Sequence, residues 1–198
     1  MEPTPDDRLT RASKGDPRAL DELLVEHLPA LHAFVRLRAG HAFGGRESCS
    51  DLVQSVCREV LADGGDFRFR GETAFKNWLF TAAANKVVDR FRFHHRERRD
   101  AKREVAGDAL GDEPGLIELL ATYRSVGTPS QVLQQREQVE RIEAAFAELP
   151  EAQQQAIGLS RIAGMTYAEI AAETGRTEVA VRGLVARGLI KLAALLDR

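Results

Sequence analysis

Residues 164–187 read GMTYAEIAAETGRTEVAVRGLVAR, and this stretch specifies two short helices joined by a tight turn. Thr166 followed three residues later by Glu169 is a capping box, in which hydroxyl and carboxylate satisfy the free amides at a helix start. Gly175 supplies the left-handed residue that ends such a helix. Thr177 then caps the next one. Tyr167, Ile170 and Ala171 fall on one face of the first helix, and Val181, Leu184 and Val185 on one face of the second. Helix, short glycine turn, helix is the helix-turn-helix layout. There the second helix lies in the major groove, with its first residues at bases and phosphates. Glu178, Arg182 and Arg187 point outward, and Thr177 with the amides behind it forms a phosphate site at a helix N-terminus. A helical hairpin that merely packs would show the same apolar pattern.

Working outward, Leu133, Val139, Ile142 and Phe146 mark a helix opened by Ser130 and stopped at Leu149-Pro150. A further helix spans about Glu151 to Ile162 and closes at Gly164. Nearer the start, Asp16-Pro17 reads as a cap with proline at the first helical position. Leu20, Leu24, Leu28, Leu31 and Val35 form its stripe, and Gly40, Gly44 and Gly45 break it. Leu52, Val53, Val56, Cys57, Val60 and Leu61 give the core face of a helix starting near Ser50 and ending at Gly64-Gly65. A long helix from about Thr73 to Arg99 turns Phe75, Trp78, Leu79 and Ala82 inward. No alternating strand pattern is present. The expectation is all-α: two small helical domains, 1–103 and 130–198, joined by an acidic linker over 104–129. Within that linker Leu116 to Tyr123 allow a short helix. Whether the two domains pack on each other is left open.

Composition excludes several function classes. No run approaches the roughly 18 apolar residues of a membrane span. Met1 to Asp7 is acidic and lacks the order of a secretion signal, which points to the cytoplasm. Two cysteines among 198 residues, Cys49 and Cys57, make neither a disulfide framework nor a zinc site, and Cys57 reads as a small buried hydrophobe. The His94-His95 pair has no ligand partner at metal spacing. No phosphate-cradling glycine loop or placed catalytic set occurs, so neither an enzyme nor a cofactor is expected.

Charge is more telling by segment than in sum. The total is −2, but residues 66–103 carry 11 basic and 5 acidic groups, and residues 104–160 carry 3 and 10. Two basic stretches separated by an acidic one suit a polyanion-binding surface, although solvated helix faces also alternate in sign. In the first basic stretch Phe67, Phe69, Phe75, Trp78, Phe80, Phe91 and Phe93 interleave with cations. That mixture suits single-stranded nucleic acid, whose phosphates follow the cations and whose bases stack on rings. Most of these rings are expected to be core; Phe69 differs, lying in a loop between Arg68 and Arg70.

Phe69-Arg70-Gly71-Glu72, Phe75, Trp78-Leu79-Phe80 and Ala84-Asn85 resemble the promoter-melting segment of extracytoplasmic-function (ECF, group IV) RNA polymerase sigma factors. Asp51-Leu52-Val53-Gln54 with Val56 resembles their polymerase-docking helix. Leu149-Pro150, Gly164 to Ala171, Gly175, Val181-Arg182 and Arg187 resemble their C-terminal DNA-binding domain. The likeness runs from about Ala19 to Leu196 in the family's order.

The resemblance implies a transcription initiation factor with two DNA-binding units. Asp51, Gln54, Ser55 and Arg58 would meet the polymerase clamp. Phe69, Arg70, Gly71, Glu72, Lys76, Asn85, Lys86 and Arg90 would hold the melted minus-ten element, with Phe69 and Asn85 around a flipped base. Thr177, Glu178, Arg182 and Arg187 would read the duplex minus-thirty-five element, near the polymerase flap. Such factors commonly have an anti-sigma partner, and the acidic linker would suit a basic polymerase channel.

The recognition helix departs from the family pattern. Gly183, Leu184 and Ala186 stand where polar or basic residues are usual, and Gly188 replaces an alanine. Each interior glycine costs a helix roughly 1 kcal/mol relative to alanine. Fewer donors predict weak duplex readout and a shallow salt dependence. A helix-turn-helix regulator acting without polymerase accounts for residues 130–198 but leaves the Asp51 helix and Phe69 loop without a role. A protein that only sequesters another regulator would show no dependence on DNA.

Overall fold

The computed structural model describes residues 5–14, 16–39, 48–63, 71–94, 114–125 and 136–197, and the described elements are helical. In chain order they are α1 (Pro5–Ala12), α2 (Pro17–Ala39), α3 (Cys49–Asp63), α4 (Glu72–His94), α5 (Pro114–Ser125), α6 (Arg136–Ala147) and α7 (Glu151–Ile157). A π-helical turn (Gly158–Ile162), α8 (Tyr167–Thr174) and α9 (Glu178–Leu196) complete the set. The breaks expected at Gly40, Gly44, Gly45, Gly64 and Gly65, and the Ser130 cap, lie outside the described residues. So do the Phe69 loop and the end of the basic run.

Local chemistry sets the helix starts. The Asp16 carboxylate accepts from the amides of Arg18 at 3.0 Å and Ala19 at 3.4 Å, capping α2. Arg11 donates to its other oxygen at 2.9 Å and holds the Asp16 carboxyl below its ordinary range. At α3 the hydroxyl of Ser48 accepts from the Asp51 amide, and the Asp51 carboxylate accepts from the Ser48 amide and hydroxyl. The helix expected to run from Glu151 to Ile162 changes hand-over at Ile157, where wider π-type turns carry it to Gly164. Such a turn inserts one residue and rotates the side chains that follow.

The N-terminal unit packs α2 against α1, α3 and α4. Leu20, Leu24, Leu31, Phe34, Leu52, Val56, Phe75, Leu79 and Phe80 are buried there. Phe34 and Phe80 meet edge to face, 5.5 Å between centroids, which suits aromatic quadrupoles. The expected core face of α3 needs one correction. Cys57 is half-buried and Leu61 is 42% exposed, because that edge borders an open groove between α2 and α3 and not a closed core.

The C-terminal unit stacks α6, α7, α8 and α9 around Phe146, Ile157, Ile162, Val181, Leu184, Leu189 and Leu192. The two units are packed together: α2 also touches α5, α6 and the π turn. Gly158 sits on Phe34 so closely that a Cβ there would lie 2.9 Å from the ring. Leu116, Leu120 and Tyr123 of α5 are buried in the same contiguous core. A polar cluster crosses this junction. Arg36 Nε of α2 donates to the Tyr123 hydroxyl at 3.0 Å and to Glu143 Oε1 of α6 at 2.9 Å. Tyr123 itself donates to Glu143 Oε1 at 2.7 Å. No described helix is long and apolar enough to cross a membrane.

Candidate nucleic-acid interface

Residues 166–187 form the expected helix-turn-helix. Thr166 accepts from the Glu169 amide, and the Glu169 carboxylate accepts from the Thr166 amide at 2.7 Å, so both halves of the capping box are made. Gly175 ends α8 with φ of 66°, and the Thr177 hydroxyl accepts from the Ala180 amide to start α9. Val181, Leu184 and Val185 seat α9 in the core, leaving Thr177, Glu178, Val179 and Arg182 exposed. Arg182 reaches Glu178 at 3.3 Å and lies 5.9 Å from the Tyr167 ring. Arg187 is half-buried and folds back over Gly183, where a Cβ would meet its guanidinium at 3.0 Å. The structure therefore brings Thr177, Glu178 and Arg182 together at the helix start and sets Arg187 apart. An ion pair with Glu178 offsets the one fully exposed cation among these four, which lowers the positive potential toward a phosphate backbone.

On α3, Asp51, Gln54 and Arg58 are exposed along one stripe, and Ser55 is half-buried beside it. Arg58 Nε approaches the Gln54 carbonyl at 3.4 Å. Asp51 is already the capping carboxylate of its own helix, so its charge is fixed in direction. The stripe borders the α2–α3 groove, which is lined by Leu24, Val25, Leu28, Val53 and Leu61.

The α4 set divides. Gly71 has φ of 96° and is exposed with Glu72 just before and within the first turn. Asn85 is exposed further along. Lys76 instead donates to the Gly164 carbonyl of the C-terminal unit at 3.1 Å. Lys86 pairs with Glu59 of α3, and Arg90 is half-buried. Nine residues separate Lys76 from Asn85, which at about 100° per residue places them on opposite sides of the helix. Phe75 and Phe80 are fully buried and Trp78 leans on Phe75, so these rings are core. Phe69 and Arg70 lie outside the described residues.

With this geometry in place, likeness to known proteins becomes specific. The model described as Sigma-70 region 2 matches residues 23–97, and that described as Sigma-70, region 4, matches residues 139–192. The RNA polymerase sigma factor CnrH of Cupriavidus metallidurans is 30% identical over 206 residues, covering 100% of this chain and 97% of that protein. The chain belongs to the RNA polymerase sigma factors of the ECF type. SigD of Mycobacterium tuberculosis, an ECF RNA polymerase sigma factor, is 28% identical across 93% of this chain and 80% of its own. A solved structure, CnrH in complex with the cytosolic domain of CnrY, superposes with a TM-score of 0.63 at 25% identity, covering 96% of this chain and 95% of that one.

In this sigma factor the region 2 match contains α3 and α4, and the region 4 match contains α8 and α9. Arg36 falls in the first match, Glu143 in the second, and Tyr123 between them. Sequence reasoning missed this cluster and also Arg38, which is 3% exposed. No local pattern marks them: Arg36 and Glu143 are 107 residues apart. The only available hints were a tyrosine within an acidic segment and two arginines within an apolar helix.

Proposed function

We propose that the sigma factor directs core polymerase to promoters, melts the minus-ten element and reads the minus-thirty-five element. The observation that carries this reading is the pairing of a helix-turn-helix with a second unit whose exposed polar stripe has no use in duplex readout alone. The exposed stripe of Asp51, Gln54 and Arg58, with Ser55 at its edge, meets the polymerase clamp. Gly71, Glu72 and Asn85, with Phe69 and Arg70 of the preceding loop, hold the separated strand, and Lys76, Lys86 and Arg90 join them once released from their present partners. Thr177, Glu178, Arg182 and Arg187 meet the duplex beside the polymerase flap. The functional units are 1–103 and 130–198, with 104–129 as an acidic connector suited to a basic polymerase channel. The chain acts in the cytoplasm by binding, not catalysis, and belongs to group IV. As CnrH is found with the cytosolic domain of CnrY, a protein partner of the anti-sigma kind is proposed here too. A duplex-only regulator is not favoured, since it gives region 2 nothing to do.

Transcription with reconstituted core polymerase on a promoter library tests this reading. The chain should confer start-site-specific initiation that core alone lacks. Asn85→Ala should lower open-complex formation about tenfold, the loss of one base-edge contact of about 1.4 kcal/mol. Tight operator binding without core, and no effect of core on initiation, would overturn the proposal.

A further inference from the structure

The junction between the two units combines holding contacts with a destabilising one. The holding contacts are the Arg36–Tyr123–Glu143 cluster, which draws one residue from each of α2, α5 and α6. Tyr123 is 2% and Glu143 7% exposed, so these hydrogen bonds form where water competes little. The opposing element is Arg38, one turn beyond Arg36 along α2. It is 3% exposed, and its Nε and Nη1 meet no acceptor. Its aliphatic stem lies 3.8 Å from the position of a Cβ at Gly158, so the C-terminal unit helps to enclose it. Burial pushes its guanidinium down to about 10, partly opposed by Glu151. An unpaired buried charge strongly disfavours the state that buries it, whereas separating the units would return Arg38 to water. The same junction engages Lys76 at the Gly164 carbonyl, and Asn77 of α4 hydrogen-bonds toward Glu169 of the capping box.

We propose that the free chain is held in a closed state by the Arg36–Tyr123–Glu143 latch, that this state withholds Lys76 from DNA, and that buried Arg38 keeps it easy to open. The inference rests on reading α4 as the single-strand-binding helix, but its conformational half stands on the junction alone. Opening exposes Lys76 together with the first turn of α8. A ligand that needs a fractionally populated state binds more weakly by that fraction. The latch therefore sets DNA affinity without touching DNA. Both substitutions in Tyr123→Phe/Glu143→Gln lie away from the exposed α3, α4 and α9 surfaces.

The full-length chain, the Tyr123→Phe/Glu143→Gln variant and Arg38→Met would be compared, each with and without Lys76→Ala. Small-angle X-ray scattering reads the radius of gyration, and fluorescence anisotropy reads binding of a fluorescein-labelled single-stranded DNA pool of mixed sequence. Circular dichroism verifies that helix content is kept. The latch variant should expand and bind the pool roughly fivefold more tightly. Its log–log salt slope should steepen by about 0.7, one added phosphate contact on a single strand. Lys76→Ala should abolish both gains. Arg38→Met should stay compact and bind more weakly than the unmodified chain, which holds the proposal to account even if the latch variant loses helix. Unchanged dimensions in both variants would overturn the latch. Expansion whose gain in binding survives Lys76→Ala would overturn the withholding of Lys76. The Asn85→Ala effect on reconstituted transcription reports separately on the strand-binding reading, so the two failures are distinguishable.

Discussion

Two glycines in α9 look equivalent as letters, and both weaken a helix relative to alanine. Their surroundings differ. A Cβ at Gly183 would meet only the Arg187 guanidinium, the mobile end of a long side chain, at 3.0 Å. A Cβ at Gly188 would lie 2.6 Å from Ile157 Cδ1 and 3.1 Å from Gln153 Cβ, both in the buried α7 contact. Gly188 thus permits the close approach of α7 and α9 that holds the recognition helix in place. Gly183→Ala is expected to stabilise the chain by up to about 1 kcal/mol through helix propensity. Gly188→Ala should destabilise it by about 1–2 kcal/mol net, overpacking outweighing the same propensity gain. Urea denaturation of both variants checks this; equal shifts of the same sign would contradict it. The departure of Gly188 from the family pattern is therefore a packing feature. The same structure leaves Arg182 offset by Glu178, which agrees with weak duplex readout on electrostatic grounds.

At the scale of elements, α2 is the hub of the molecule, and its contact with α4 carries a titratable group. His27 packs on Phe75 with ring centroids 5.6 Å apart, and its Nε2 is buried without a hydrogen-bond partner. Burial lowers its pKa below 6.5; Lys76 and Arg124 act in the same direction, while Glu26 and Glu72 oppose them. The folded chain therefore binds fewer protons than the unfolded chain just below pH 6.5. Stability is fully present above that value and falls as the pH drops through it toward the folded pKa. His32 on the same helix shifts in the same direction, again by burial first and by Arg36 second. Thermal melts at about pH 7 and about pH 5.5 should show a lower Tm at the acid end, and His27→Gln should shrink the difference without abolishing it. A variant with an unchanged difference would exclude His27 as a source. The capping elements were legible in advance because Asp16, Thr166, Gly175 and Thr177 act on amides within a few residues of themselves. The π turn after Ile157 was not, since it answers to the docking of Gly158 on Phe34.

For the whole molecule, the junction makes the two units one cooperative body. Heat should unfold the unmodified chain in a single calorimetric transition. Tyr123→Phe/Glu143→Gln should split it in two as each unit melts on its own, and a single unshifted transition in the variant would argue against coupling through the latch. The helical class, the helix-turn-helix, its caps and the exposed stripes of α3 and α9 were all legible in the residues. Each depends on interactions within about one or two helical turns, where spacing alone says which side chains share a face. The meaning of Lys76, Arg36, Arg38, Tyr123 and Glu143 was not. A lysine nine residues from Asn85 reads as part of the same basic set until the helix is built and the two point apart. An arginine, a tyrosine and a glutamate separated by 87 and 107 residues meet only when α2, α5 and α6 close on one another. Local hydrogen bonding and periodicity wrote the two DNA-binding units into the chain. Long-range packing decided that they are joined, because contacts between distant residues leave no period in the sequence.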